Sequence, residues 1–397
     1  RGVTGISHVV EHMMFKGTKK HGKGEFSKTV AENGGQHNAF TDADYTGYYQ
    51  VFAASRLKVS FEMEADRMQS LTLDPKEFEK EIQVVMEERR MRTDDNSHMT
   101  TYERFQAAAY VSNPYHQPVV GWMDDLQNMT IADVRAWYDN WYGPNNATVV
   151  VVGDVEPENV YALAKKYFGP IKPKKFSLLK KISSVKPLGE RNIVVKVPAK
   201  IAWMIMGYNV PSLVTANDKM EPYALELIAG ILDVGDSSRL AKELVRGQQI
   251  AVQTSVEYGI YNRFDTLLTI SATPSAGHKT DEMRTALLAQ ITRLQNTPVS
   301  EDELSRTKAK VIANRIFAND SMEQQAMDIG SLVSVGLPWQ TNDQYIENIE
   351  TITSQQIQQV AKKYLNADRL TVAVLDPQPI DPAKDSPKSQ TGDHHGH

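Results

Sequence analysis

Near its start the chain reads Gly5-Ile6-Ser7-His8-Val9-Val10-Glu11-His12-Met13-Met14-Phe15-Lys16-Gly17-Thr18. On a helix, at roughly 100° per residue, His8, Glu11 and His12 share about a 100° arc. Ile6, Val9, Val10, Met13 and Met14 surround them, the pattern of a buried helix with one functional face. Two imidazoles one turn apart can share a metal ion, and the carboxylate between them reaches the same space. The same spacing also occurs on solvated helix faces, so these residues alone leave both readings open. A metal site needs a further ligand from elsewhere in the chain.

Composition narrows where that ligand can come from. The 397 residues contain no Cys, which excludes disulfides, thiolate catalysis and Cys-based zinc sites. A metal must therefore be held by His and carboxylate. The net charge of −5 gives no basis for nucleic acid as a partner. The longest apolar runs, such as Ala147 to Val152, have strand length, so no membrane span is expected. At this length two domains are the natural division. A βαβ-like element ordinarily precedes such a helix, so upstream residues, with any signal peptide among them, are expected outside this sequence. Lack of Cys suits oxidising and reducing compartments alike; a bacterial periplasm and the cytoplasm are carried as alternatives.

Downstream of the opening helix, glycines and charge break the chain at Lys16–Gly24. Glu25 to Asn33 reads as a short amphipathic helix closed by Gly34-Gly35. Gln36 to Phe52 is rich in aromatic residues and Thr, and reads as two strands around Asp42-Ala43-Asp44. Ser55 to Gln69 is helical, and Asp74-Pro75 opens another helix reaching about Thr93. On that helix Phe78, Ile82 and Val85 form an apolar stripe. Glu87 lies roughly 180° from Phe78, whereas Glu88 lies roughly 80° from it and Glu81 is aligned two turns earlier. A carboxylate reaching inward to a metal is better placed at Glu88 than at Glu87.

The pattern continues with helices at 101–110, 131–141 and 156–167, strand 147–152, and a Lys/Ser-rich stretch across 171–190. Strands 192–197 and 201–208, a helix at 218–232, strands within 250–271 and helices at 279–295 and 301–318 follow. Thr130-Ile-Ala-Asp before Val149–Val152 is echoed by Thr353-Ser-Gln-Gln before Val372–Leu375. Each Thr stands 19 residues before its strand, and the two copies lie 223 apart. The expected fold class is therefore α+β: two homologous α/β-sandwich domains, each a mostly antiparallel sheet covered by helices, related by duplication. Residues 1–180 and 191–380 are the expected domains, 181–190 the linker and 381–397 a disordered tail. The tail's His394, His395 and His397 read as adventitious chelators. By the same offset, residue 8 corresponds to Ile231, in a stretch without His, so only the first domain is expected to hold a metal.

At this point the chain resembles the pitrilysin family of metallopeptidases, whose His-x-x-Glu-His is the zincin motif reversed. It is most similar to the short two-domain members related to mitochondrial processing peptidase. The resemblance rests on His8-x-x-Glu11-His12 with Phe15-Lys16-Gly17-Thr18, and on Glu32-Asn33-Gly34-Gly35-x-x-Asn38-Ala39-x-Thr41. It extends over Glu81 through Glu88-Arg-Arg, Gly121-Trp122, Asn145-Asn146-Ala147 and Gly153-Asp154. It implies one Zn2+ per chain held by His8, His12 and Glu88, the last standing 76 residues after His12 and seven after Glu81. It also implies Glu11 as general base and Glu81 as a carboxylate behind the ligands that orients a His ring. Asn38, Ala39 and Phe40 resemble the edge strand to which an extended peptide substrate adds by main-chain hydrogen bonds.

One departure bears on partners. Active second domains of the family carry an Arg and a Tyr seven apart that grip substrate; the aligned positions here are Val245 and Val252, with Arg246 one place off. The expected function is a zinc-dependent endopeptidase acting on peptides or unfolded segments. The expected partner is a homologous subunit supplying the missing Arg and Tyr, or otherwise a second copy in a homodimer. The alternative is a non-catalytic structural subunit of the same fold, and a third reading is a zinc hydrolase of non-peptide substrates.

Overall fold

A computed structural model describes residues 2–176, 184–185 and 187–380. The expected tail, and residues 181–183 and 186 of the expected linker, lie outside the described residues. The chain opens with helices α1 (Ile6–Met13) and α2 (Glu25–Glu32), then the hairpin β1 (Gln36–Thr41) and β2 (Thr46–Val51). Helices α3 (Leu57–Ser70), α4 (Pro75–Arg89), α5 (Ser97–Ala109), α6 (Met123–Asn128), α7 (Ile131–Trp141) and α8 (Pro157–Tyr167) complete the first half. The second half runs β3 (Arg191–Pro198), β4 (Trp203–Val210), α9 (Met220–Asp233), β5 (Ala251–Tyr258) and β6 (Thr266–Pro274). It closes with α10 (Thr280–Asn296), α11 (Glu301–Ala318), α12 (Met322–Ser334), α13 (Tyr345–Thr351), α14 (Ser354–Tyr364) and β7 (Leu370–Gln378).

The second half is organised on a five-stranded sheet of order β3-β7-β4-β6-β5, parallel only between β3 and β7. This is the mixed, mostly antiparallel α+β architecture expected from the alternation of apolar strands and amphipathic helices. β3 alternates half-buried and exposed positions as an outer strand does, whereas β4 is buried almost throughout. The echoed Thr residues both begin helices by the same device. Thr130 and Asp133 form a capping box at α7, and Thr353 and Gln356 form one at α14.

The strands that follow those two helices differ. β7 lies in the sheet between β3 and β4. Residues 147–152 run on without a ladder, with Val149 half exposed. A strand exists only where a neighbour accepts its peptide groups, and no described strand lies beside 147–152. Among the described residues the first half's sheet is the two-stranded hairpin β1-β2, paired Gln36↔Val51 to Thr41↔Thr46.

The halves interlock. Helix α5 lies against β7, β3 and β4, so a first-half helix covers one face of the second-half sheet. Phe105, Ala109 and Tyr110 join Trp203, Ile205, Ala373 and Leu375 in one core cluster. A Cβ at Gly207 would stand 2.5 Å from Phe105 Cζ, so the glycine makes room for that ring. Ile171 is buried and Phe176 stacks on Trp141, so the start of the Lys/Ser-rich stretch packs on the first half.

Candidate metal centre

Helix α1 is built into the first-half core by its apolar positions, with Val9, Val10, Met13 and Met14 buried. Its entry is set by two glycines. Gly5 has φ 81°, and a Cβ there would lie 2.3 Å from Val120 O, while one at Gly121 would lie 2.4 Å from Thr4 O. The close backbone approach of Gly5 and Gly121 needs residues without side chains. Thr4 completes the anchor, accepting from Trp122 N (2.9 Å) and donating to Asp125 Oδ2 (2.5 Å).

With α1 so placed, His8, His12 and Glu88 of α4 converge. His8 Nε2 and His12 Nε2 are 3.2 Å apart. Glu88 Oε1 stands 3.6 Å from His8 Nε2, and Glu88 Oε2 stands 3.4 Å from His12 Nε2. A tetrahedral zinc with bonds of about 2.0–2.1 Å has donor–donor edges of about 3.3–3.4 Å. The donor set and spacing therefore fit a zinc ion. Glu88 points inward while Glu87 is exposed and pairs with Arg90 (2.8 Å), as the helical stripe indicates. Val84 and Met91, which blur that stripe in sequence, are both exposed.

The residues behind the ligands follow the same logic. Glu81 is buried, accepts from His12 Nδ1 at 2.9 Å and pairs with Lys16 Nζ at 2.6 Å. This holds the His12 ring with Nε2 toward the site. Glu11 is buried and stands outside the donor group. Its Oε2 accepts from Thr41 Oγ1 at 2.5 Å, and Oε1 has no hydrogen-bond partner among the described residues. Glu88 is braced by Arg92 (2.7 Å). Arg89 is buried and donates to Glu103 of α5 (2.8 Å) and to Gly121 O (2.7 Å). Lys16, Thr41, Arg89 and Arg92 are absent from the sequence-based site. Lys16 and Thr41 lie inside motif blocks, but nothing in a linear reading says which groups they meet.

Charge follows burial and partners. Burial, with His12 and Arg92 nearby, lowers His8 to a pKa of about 4 against the pull of Glu88. Burial also works against a charged His12, but hydrogen bonds to Glu81 and Glu88 prevail and raise it to about 9. For Glu81 and Glu88, burial is outweighed by His12 and the basic groups beside them, Lys16 and Arg92 respectively, and both carboxyls are lowered. Burial raises Glu11 against the opposing hydrogen bond from Thr41.

Asn38, Ala39 and Phe40 lie on β1 beside α1, with Asn38 exposed and the other two half-buried. Ala39 N donates to Asn38 Oδ1 (2.9 Å), and β1 has β2 as its one described neighbour. The hairpin is held from beneath by Arg67, whose guanidinium lies 4.3 Å from the Phe26 ring and 4.5 Å from the Tyr48 ring. In the second half Val245 packs on the core and Val252 is exposed on β5, while the exposed Arg246 bonds to Asp236 O.

Residues 2–121 match the family described as insulinase, peptidase family M16, and residues 128–311 match the M16 inactive domain. The zinc protease PqqE of Helicobacter pylori is 34% identical over 328 residues, spanning 82% of this chain and 73% of that protein. The chain belongs to peptidase family M16, the pitrilysin family. A protease from Helicobacter pylori of known crystal structure superimposes with a TM-score of 0.89 at 31% identity, covering 95% of this chain and 90% of that one. An M16 inactive-domain structure from Pseudomonas fluorescens gives a TM-score of 0.83 at 14% identity over 96% and 90% of the two chains, a likeness of fold. His8, His12 and Glu88 are the candidate metal cluster among the described residues, and it falls in the first match. No described helix is long and apolar enough to cross a membrane.

Proposed function

We propose that this M16 chain is a zinc-dependent endopeptidase that hydrolyses peptides or unfolded segments. His8, His12 and Glu88 hold one Zn2+, Glu11 is the general base, and Glu81 orients His12. Zinc, when bound, supplies Lewis acidity for the attacking water and the scissile carbonyl. Glu11 takes a proton from the water on Oε1 as the water oxygen adds to the carbonyl carbon. It returns that proton to the departing nitrogen as the C–N bond breaks. The observation that carries this reading is the separation of roles: three donors at zinc spacing, and beside them a carboxylate excluded from the donor set with one oxygen unpartnered. The edge strand at Asn38, Ala39 and Phe40 receives the extended peptide. Residues 1–180 form the zinc-bearing domain, and 191–380 form the homologous domain without metal.

Val245 and Val252 offer neither guanidinium nor phenol. This supports a homologous partner subunit that supplies the Arg and Tyr, so that the chain acts as the zinc-bearing member of a heterodimer. Zinc content of wild type and His8→Ala, with peptide cleavage by Glu11→Gln, tests the mechanism. Glu11→Gln should keep its zinc and lose cleavage; full cleavage by that variant overturns the proposal. Full peptidase activity from the purified chain alone overturns the heterodimer.

A further inference from the structure

We infer that Thr41 is a positioning residue for Glu11, joining the strand that receives the peptide to the base that attacks it. The inference rests on the reading of Glu11 as general base. Glu11 makes a single hydrogen bond among the described residues, from Thr41 Oγ1 to Oε2 at 2.5 Å. An ionised carboxylate can only accept, so the Thr41 hydroxyl spends its one proton there. Its remaining contact, Thr46 Oγ1 at 3.3 Å, must then be one in which Thr46 donates. The two threonines face each other as the last β1-β2 pair, so the hairpin register places this contact. With Oε2 engaged, Oε1 is the oxygen left to receive a proton, and the carboxylate plane is held against rotation.

Thr41 is also the residue that follows Asn38-Ala39-Phe40 on β1. A peptide adding to that strand is registered by the same backbone that carries the clamp on the base. Three residues further on, the hairpin turn is itself anchored. Asp44 Oδ2 accepts from Tyr115 Oη (2.6 Å) and from Arg263 N of the second half (3.0 Å). Strand, clamp and turn thus form one rigid path from the second half to Glu11. Sub-ångström misplacement of a reacting group is enough to slow chemistry without weakening binding.

The test compares Thr41→Val, which keeps the shape and removes the hydroxyl, with Thr41→Ser, which keeps the hydroxyl. Thr41→Val should lower kcat by about 10- to 100-fold. KM, zinc content and the affinity of the metal-free protein for an uncleaved peptide should stay as in wild type. Thr41→Ser should recover most of the loss, and adding Thr41→Val to Glu11→Gln should cause no further drop. Unchanged kcat in Thr41→Val overturns the inference, as does loss of zinc or of peptide affinity in that variant, or a Thr41→Ser as impaired as Thr41→Val. Full cleavage by Glu11→Gln overturns the base reading, and this inference with it; full cleavage by Thr41→Val with a dead Glu11→Gln overturns this inference alone.

Discussion

In the first half α1 packs on α7, α4 and β1; in the second, α9 packs on α14, α11 and β5. The two helices hold equivalent places, yet their contents differ at each contact. Toward α1, α4 sends Glu81 and Glu88. Toward α9, α11 sends Thr307 and Val311, close enough that a Cβ at Gly230 would lie 2.9 and 3.0 Å from their methyl carbons. Toward the following strand each helix extends one acid. Asp233 has both oxygens engaged, by Thr254 Oγ1 (3.4 Å) and Val256 N (3.1 Å), whereas Glu11 has one. A fully satisfied acid ties a helix to a sheet; a half-satisfied one keeps an oxygen for a proton. Equivalent packing therefore supports a face carrying a candidate metal cluster or one without it, depending on a few polar side chains.

The largest break in this comparison is chemical. Glu11→Gln should cut kcat by about 10²- to 10⁴-fold with zinc retained, and His8→Ala should abolish zinc binding, both read from metal analysis and peptide turnover. Next come the buried arginines. Removing Arg89 leaves Glu103 buried without its partner, an expected loss of about 3–5 kcal/mol in a urea melt, accompanied by weaker zinc binding. Arg239, paired with Glu303 at 2.8 Å, should cost less, about 2 kcal/mol, because Glu303 reaches solvent, and should leave zinc untouched. Equal zinc loss in both variants would remove the distinction between the halves.

Ile231→His places an imidazole at the position that corresponds to His8. It should destabilise the chain by about 2–3 kcal/mol, since Ile231 is fully buried in an apolar cluster, and metal analysis should find no second zinc. The last effect depends on pH and concerns Glu226 of α9, which burial pushes up to about 7 against Tyr345 and Arg315. A carboxyl whose folded pKa exceeds its unfolded one favours the folded state while protonated. Its contribution is complete below about pH 4.5 and is lost as pH rises to about 7. Glu226→Gln should therefore gain up to about 3 kcal/mol relative to wild type at pH 8, and nothing at pH 4.5, in parallel denaturation curves.

Much of this was legible in the sequence because it depends on local periodicity. The arc of His8, Glu11 and His12, the inward turn of Glu88, the Asp42-Ala43-Asp44 hairpin and the helix that begins at Ile131 are all short-range patterns. The rest required knowing which groups meet. Thr41 reaches Glu11 across 30 residues, Lys16 reaches Glu81 across 65, and Arg89 reaches Gly121 across 32. Helices α6, α12 and α13 have no counterpart in the sequence reading; α6 and α13 span 6 and 7 residues, too short to display a helical period.

By itself the sequence determined the ligand chemistry: without Cys, a metal here falls to His and carboxylate, and helical spacing puts two His and a Glu on one face. It also determined most of the helices, because turns, caps and apolar periods act within a few residues. Only the tertiary structure decided that Val372–Leu375 lies mid-sheet between β3 and β4, since a strand is completed by a partner and not by its own residues. The same holds for α5, drawn onto the other half's sheet, and for Glu11, whose free and bound oxygens are distinguished by one hydroxyl from a distant strand.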